Sequence, residues 1–368
     1  MKGYDVIVIG GGLVGGAIAW GAARTGAAVA LLDEGDIAFR ASRGNFGLVW
    51  VQTKGAGLPP YAHWSRRSAE LWPHLATALS EATGVDPGLQ QPGGLMFCFS
   101  EDEMAERERL NQSMQQESGD IGSRMIGRAE VKEMVPAIGP RVVGASFCPR
   151  DGHANPLYLL RGLHRALLDQ SGDYWPGRHV DDIAYADGGF GVHCGEEIFR
   201  APKIVLAAGL GNARLAPMVG LDMPVHPVRG EIIVTERMKP FLPYATHFMR
   251  QTVEGSVMLG DSQEDVGFDT AVSVPVLRDI AARNLVAFPC LAEATVVRVW
   301  SALRVMTPDG FPIYEQSLAC PGAFAATCHS GVTLAGAHAL ELAPAILSGL
   351  LPGKFDAFRA ARFHVPTP

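Results

Sequence analysis

Val6-Ile7-Val8-Ile9-Gly10-Gly11-Gly12-Leu13-Val14-Gly15 decides the reading of this chain. Four apolar, β-branched residues read as a buried strand and run directly into a glycine cluster. An apolar helical stretch follows, and a second apolar run, Val29-Ala30-Leu31-Leu32, ends at Asp33. Strand, glycine turn, helix, strand and acid in that order form a dinucleotide-binding unit. Gly10 permits the tight turn, Gly12 lets the backbone approach a pyrophosphate, and Gly15 lets the helix pack close to the strand. The phosphates are expected at the helix N-terminus, which Leu13 and Val14 open, because free N–H groups and the macrodipole favour negative charge there. Asp33, with Glu34 beside it, is placed to accept hydrogen bonds from a ribose. The fingerprint alone does not separate FAD from NAD.

A length of 368 residues suggests two domains, and 48% hydrophobic with 19% charged residues is the balance of a globular protein. The net charge of −7 leaves no electrostatic footprint for nucleic acid. No apolar run is long enough to span a bilayer, since residues 332–351 are interrupted by His338 and Glu341. The first strand opens at Tyr4 with no secretory pattern around it, so a cytoplasmic location is expected. The cysteines are Cys98, Cys148, Cys194, Cys290, Cys320 and Cys328, with no CxxC spacing. Reduced, mostly buried thiols are expected, with no metal site.

Beyond residue 35 the chain alternates between two patterns. Residues 61–81 have helical periodicity, which Pro73 is expected to break or kink. Residues 94–99 read as a strand and 101–117 as an exposed helix. Asn155-Pro156 supplies an N-cap and a first-turn proline for a helix to about residue 168. Residues 180–208 read as a small antiparallel meander ending in a core strand. Strands follow at 228–235, 256–260 and 295–300, with a helix at 274–288. A last strand near Phe324 leads to a helix starting around Val332. A nucleotide-binding layer therefore opens the chain, a unit with its own sheet interrupts it twice, and the last helix returns to the first layer.

Four ordered blocks resemble the FAD-dependent amine and amino-acid oxidases, the superfamily of glycine, sarcosine and D-amino-acid oxidases. The first is the fingerprint ending at Asp33, and the second is Ala41-Ser42-Arg43-Gly44-Asn45-Phe46-Gly47. The third joins Ile204-Val205-Leu206-Ala207-Ala208-Gly209 to Pro227-Val228-Arg229-Gly230-Glu231. The fourth runs from Trp300-Ser301-Ala302-Leu303-Arg304 through Thr307-Pro308-Asp309-Gly310 to His329-Ser330-Gly331-Val332-Thr333. Within that superfamily, residues 43–52 are similar to the β subunits of bacterial opine oxidases. They also resemble the C subunit of hydrogen cyanide synthase and the β subunit of D-hydroxyproline dehydrogenase.

The resemblance implies an α/β plus α+β fold. A Rossmann-like FAD-binding domain would comprise 1–83, 146–222 and 300–368, with an inserted mixed or antiparallel-sheet substrate domain at 84–145 and 223–299. It implies FAD, with Val180, Ala208 and Gly209 near the adenosine half. Ser42, Arg43, Asn45, Phe46, Gly47 and Leu48 would line the pyrophosphate and flavin, and Gly331, Val332 and Thr333 the pyrimidine edge of the ring. A helix N-terminus suits that edge, because a reduced flavin gathers negative charge there. Ala302 stands where sarcosine oxidases carry the cysteine that bonds the flavin, so non-covalent FAD is implied.

Arg304 matches the arginine that grips the substrate carboxylate with a two-pronged hydrogen bond, for which a guanidinium is shaped. The grip would set the α-carbon over the flavin for hydride transfer, and the resulting imine would be hydrolysed by water. His329 is the second catalytic candidate, as a ring-tuning or proton-accepting group, and a packed histidine is the alternative. Arg250 and His247, on an expected strand of the inserted unit, are candidate further substrate contacts. Tyr61 and Trp64 read either as pocket wall or as helix-packing aromatics. The implied reaction is oxidation of an N-substituted or D-configured amino acid, an opine preferred, with D-hydroxyproline and glycine as rivals. A non-catalytic flavin-fold interaction subunit is the reading from another class. The implied partners are a larger flavin-containing α subunit and a small iron–sulfur subunit.

Overall fold

Val6–Ile9 lies inside a six-stranded sheet whose order is Ile313–Gln316, Ala323–Thr327, Ile204–Leu206, Val6–Ile9, Val29–Asp33, Asp173–Pro176. All neighbours are parallel except the first pair. The computed structural model describes residues 3–35 and 41–363. Val6 to Ile9 are buried, as a parallel strand covered on both faces requires. The chain leaves Val6–Ile9 for one neighbour through the helix Leu13–Ala23 and reaches the other only at Ile204–Leu206. Strand order reverses at that point, and the carboxyl ends on either side open a crevice, the place where sheets of this kind bind ligands. The glycine turn, Ala207-Ala208 and Cys328-His329 follow strands at that edge, and Asp33 ends one.

Two further sheets build the other layer. One is antiparallel, ordered Met249–Gln251, Ser256–Leu259, His226–Arg237, Val296–Met306. The other is ordered Ala245–Thr246, Gly94–Cys98, Gly144–Cys148, Arg124–Gly127. Their apolar side chains form a cluster of their own, drawn from 95–145 and 233–291. On this basis we propose the division into a nucleotide-binding and an inserted domain. The borders at 145/146 and 299/300 fall inside the strands Gly144–Cys148 and Val296–Met306. Residues 1–2, 36–40 and 364–368 lie outside the described residues.

The meander forms as Asp182–Ala186, Gly189–Cys194 and Glu197–Ala201, and the core strand after it joins the large sheet. Asn155 caps Pro156–Asp169 by accepting from the N–H groups of Leu157 and Tyr158. Four cysteines are buried, Cys290 is exposed and Cys320 is half-buried, all as free thiols. No helix among the described residues is long and apolar enough to cross a membrane.

The structure corrects two expectations. Pro73 does not break its helix, which is continuous over Pro59–Thr83. The carbonyl of Ala69, which Pro73 cannot bond, accepts instead from Gln91 Nε2 at 3.2 Å. The last helix does not start at Val332. A turn over residues 331–334 precedes Ala335–Ala337, a π turn at His338–Leu342 and Ala343–Ser348. Pro344 lies just beyond the widened turn, where a proline ring needs the extra room.

Candidate active site

The crevice holds a cleft of about 500 Å³. Of the expected cofactor residues, Gly10, Gly12, Leu13, Val14, Asp33, Glu34, Ser42, Asn45, Val180, Ala208, Gly209 and Gly331 line it. Gly10 has φ +109° and sits so close to the carbonyl of Ala207 that a Cβ would lie 2.4 Å from its oxygen. Gly15 is not on the wall. It lies beneath the turn, where a Cβ would come within 1.9 Å of the Gly10 carbonyl oxygen. Asp33 accepts from the N–H of Gly11 at 2.6 Å and of Gly35 at 3.1 Å, so it also braces the turn. His164 Nε2, 2.8 Å from the Gly11 carbonyl, is a second brace that no sequence pattern flags. Ser42 Oγ accepts from Leu13 N–H at 2.9 Å. Arg178, His179 and Arg214 supply basic groups on the cleft wall, and none of them was anticipated.

A second cavity of about 350 Å³ adjoins the cleft, and the two share Ala41, Asn45, Leu303, Val305, Cys328 and His329. Phe46, Leu48, Val332, Thr333, His247, Arg304 and His329 line it. The carbonyls of Val332 and Thr333 are tied to Trp72 Nε1 and Ser68 Oγ at 3.0 and 2.7 Å. The N–H groups of Gly331, Val332 and Thr333 donate to no described residue. A glycine cradle, a two-part cavity and free amides at their junction fit a dinucleotide whose ring reaches the second cavity. Arg43 and Gly47 line neither space. Gly47, at φ +93°, is packed against the carbonyl of Ala154.

Arg304 projects from the strand Val296–Met306, which extends well past the expected end at residue 300. Its Nη1 donates to the carbonyls of Ser262 and Arg229 at 2.5 and 3.2 Å. Nη2 lies 3.6 Å from Asp261. With Nη1 occupied, the Nε–Nη2 edge is the one that can grip a carboxylate with two prongs. The loop that offers Ser262 and Asp261 is pinned to the sheet by buried Arg229, whose Nη2 and Nη1 each lie 2.6 Å from Glu264 and Asp269. Arg304 crosses over Gly230, where a Cβ would lie 2.3 Å from Nη1. Gly230→Ala therefore displaces the guanidinium, a flexible tip, and leaves the sheet in place. We expect KM for a carboxylate substrate to rise about 10²-fold with little change in Tm, since a misplacement near 1 Å costs on that order. An unchanged KM would count against the clamp.

His247 and His329 both face the second cavity as neutral rings. Burial pushes His247 down to about 3 and His329 well below the usual imidazole range, with Arg283 and then Arg107 adding to the first and Lys54 and then Arg304 to the second. His247 precedes the strand Met249–Gln251 and is not on it. Arg250 is not brought to the cavity. It is 3% exposed, donates to the carbonyl of Phe46 and stacks 5.9 Å from that ring's centre. Tyr61 and Trp64 are packing aromatics of the core, bonded to Ser330 and Tyr314.

Sequence reasoning missed Lys54, Asp261 and Gln263, which also line the second cavity. It missed Asp151 too. That fully buried carboxylate, pushed up to about 7 by burial, accepts from the N–H groups of Val51 and Gln52 and from Gln52 Nε2, and so fixes the loop carrying Lys54. Asp151→Ala strands those donors, and we expect a loss of about 2–4 kcal/mol. Calorimetry reads this as a lower Tm, and an unaltered Tm would contradict it.

With the geometry in place, comparison with known proteins settles the family. A model described as FAD dependent oxidoreductase matches residues 5–345. The chain belongs to this family. One subunit of the opine oxidase of Agrobacterium tumefaciens (strain Ach5) is 44% identical over 362 residues, covering 98% of both chains. Glycine oxidase of Geobacillus kaustophilus is 27% identical over 372 residues, covering 98% of this chain and 96% of that one. The crystal structure of glycine oxidase from Geobacillus kaustophilus superposes with a TM-score of 0.89 at 26% identity, covering 99% and 98% of the two chains. FAD is accordingly the dinucleotide of the cleft, and among the described residues no group of three or more His, Cys, Asp or Glu is placed to hold a metal ion.

Proposed function

We propose that this chain oxidises the C–N bond of an opine, a secondary amine carrying two carboxylates, as the catalytic subunit of a heteromeric dehydrogenase. The observation that carries the reading is Arg304, held by two backbone carbonyls on the wall of a cavity that opens into the FAD cleft. The 44% identity to an opine oxidase subunit supports the substrate class, and that relative's being one subunit of an oxidase supports an assembly. The finer proposal for partners is a larger flavin-containing subunit and a small iron–sulfur subunit.

Bound FAD supplies the acceptor for the hydride. Arg304 holds a carboxylate and thereby fixes the neighbouring C–H bond. The amine enters as the neutral base, so its lone pair forms the C=N bond as hydride leaves the carbon and the remaining N–H proton passes to solvent. Neutral His247 and His329 line the cavity that would receive this amine and do not compete with it as cations. Water then cleaves the imine to a keto acid and an amine. Arg43, Gly47 and Arg250 support the cleft from outside its walls in this reading.

The test is anaerobic addition of an opine to the purified yellow chain. Bleaching of the flavin that saturates with opine, and is slower with glycine or D-hydroxyproline, is expected. Full bleaching by either rival with none by any opine transfers the function to that rival. No bleaching with any of them turns the chain into a non-catalytic flavin-fold subunit.

A further inference from the structure

Among its described lining residues the second cavity carries three charged side chains, Lys54, Arg304 and Asp261, since both of its histidines are neutral. Asp261 lies 3.6 Å from Arg304 and 3.6 Å from Arg283, so the one anion already has two cations beside it. Lys54 has none. Its ammonium makes no hydrogen bond and no ion pair with any described residue. A cation on a half-buried wall with no carboxylate in contact is costly, and an incoming anion relieves that cost. Burial is the leading influence on this amine, which it pulls down to about 8.

The loop that delivers Lys54 is built rather than loose. Asp151 holds its entry through Val51 and Gln52, and Lys54 N–H itself donates to the Val51 carbonyl at 3.0 Å. Thr53, beside it, has φ +72°, a left-handed conformation that a β-branched residue adopts only when its surroundings enforce it. Gly55 at φ +80° closes the loop against Ala62, where a Cβ would lie 2.2 Å from the amide nitrogen. The strain is concentrated at the residue before the unpaired lysine.

We propose that Lys54 binds the second carboxylate of an iminodicarboxylate whose first carboxylate is held by Arg304, and so selects substrates with an acid on each side of the amine. The inference rests on the proposed opine oxidation and names the residue that reads its second acid group. A monocarboxylate leaves one cavity cation unmatched, whereas an iminodicarboxylate matches both. Arg250, whose Nε is bonded to the Phe46 carbonyl away from the cavity, does not fill this role.

Two ethers that cannot be oxidised as amines test binding apart from turnover. Diglycolate carries an acid on each side of an oxygen, and methoxyacetate carries one. Titration of the yellow chain with each, read from the flavin spectrum, gives the ratio of their affinities. The wild type is expected to favour diglycolate, and the ratio should fall about 10- to 100-fold in both Lys54→Gln and Lys54→Met, while Lys54→Arg keeps it. Two substitutions guard against one that fails to fold, and retained flavin colour reports the fold. The proposal is overturned if the wild type shows no preference, if the ratio survives in both neutral variants, or if both affinities fall together. Such a result leaves opine oxidation standing, because that function is judged separately by bleaching with an opine.

Discussion

Arg304→Leu should lower kcat/KM for a carboxylate-bearing amine by about 10² to 10³-fold while the chain stays yellow. The guanidinium is largely buried, its Nη1 is spent on the carbonyls of Ser262 and Arg229, its Nη2 lies 3.6 Å from Asp261, and the residue lines the cavity. Truncating one partner of a buried charge pair costs about 2–5 kcal/mol, a span that brackets this range. FAD should remain because the glycine cradle and the amides of residues 331–333 do not depend on this side chain. Arg304→Lys should recover only part of the loss, since an ammonium cannot grip a carboxylate with two prongs. Steady-state kinetics with spectral quantitation of flavin separates the outcomes. A kcat/KM within threefold of wild type, on the order of 0.6 kcal/mol, would remove the clamp.

Gly15→Ala should yield a colourless protein. The added carbon would lie 1.9 Å from the Gly10 carbonyl oxygen, and that oxygen belongs to backbone that cannot swing aside. Gly10 is itself pressed against Ala207, so the turn has nowhere to retreat. Overpacking of this kind costs about 1–3 kcal/mol in stability, and the displaced turn loses its fit to the pyrophosphate. Gly127→Ala is the control, because it has an ordinary backbone and no heavy atom within 4 Å of the new carbon. Its FAD content should match wild type. A yellow Gly15→Ala protein would contradict the assignment of this turn to the cofactor.

These two residues differ in how far the sequence exposes them. The glycine turn is a local device, in which strand, turn, helix and acid follow one another within about thirty residues and leave a readable pattern. Arg304 was legible only through the blocks around it. The strand that carries it runs to Met306, and nothing in the local alternation signals that length, because the partner His226–Arg237 dictates it. Arg250 shows the limit of reading sides from a strand. Met249, Arg250 and Gln251 are all buried, so the period-two rule has no exposed face to work with. Lys54, Asp151 and Asp261 left no trace because they come from three distant segments that meet only in the folded chain. Pro73 does not produce the break that is one of its two expected outcomes, for the opposite reason. Its local rule is sound, and a distant glutamine side chain satisfies the carbonyl that the proline leaves free.

The central claim is that the cavity beside the FAD cleft orients an acid through Arg304. A crystal structure of the yellow chain with methoxyacetate tests it directly. The account predicts the carboxylate on the Nε–Nη2 edge of Arg304, with the ether oxygen between His247 and His329. A carboxylate found elsewhere, with that edge of Arg304 still turned to Asp261, would contradict it.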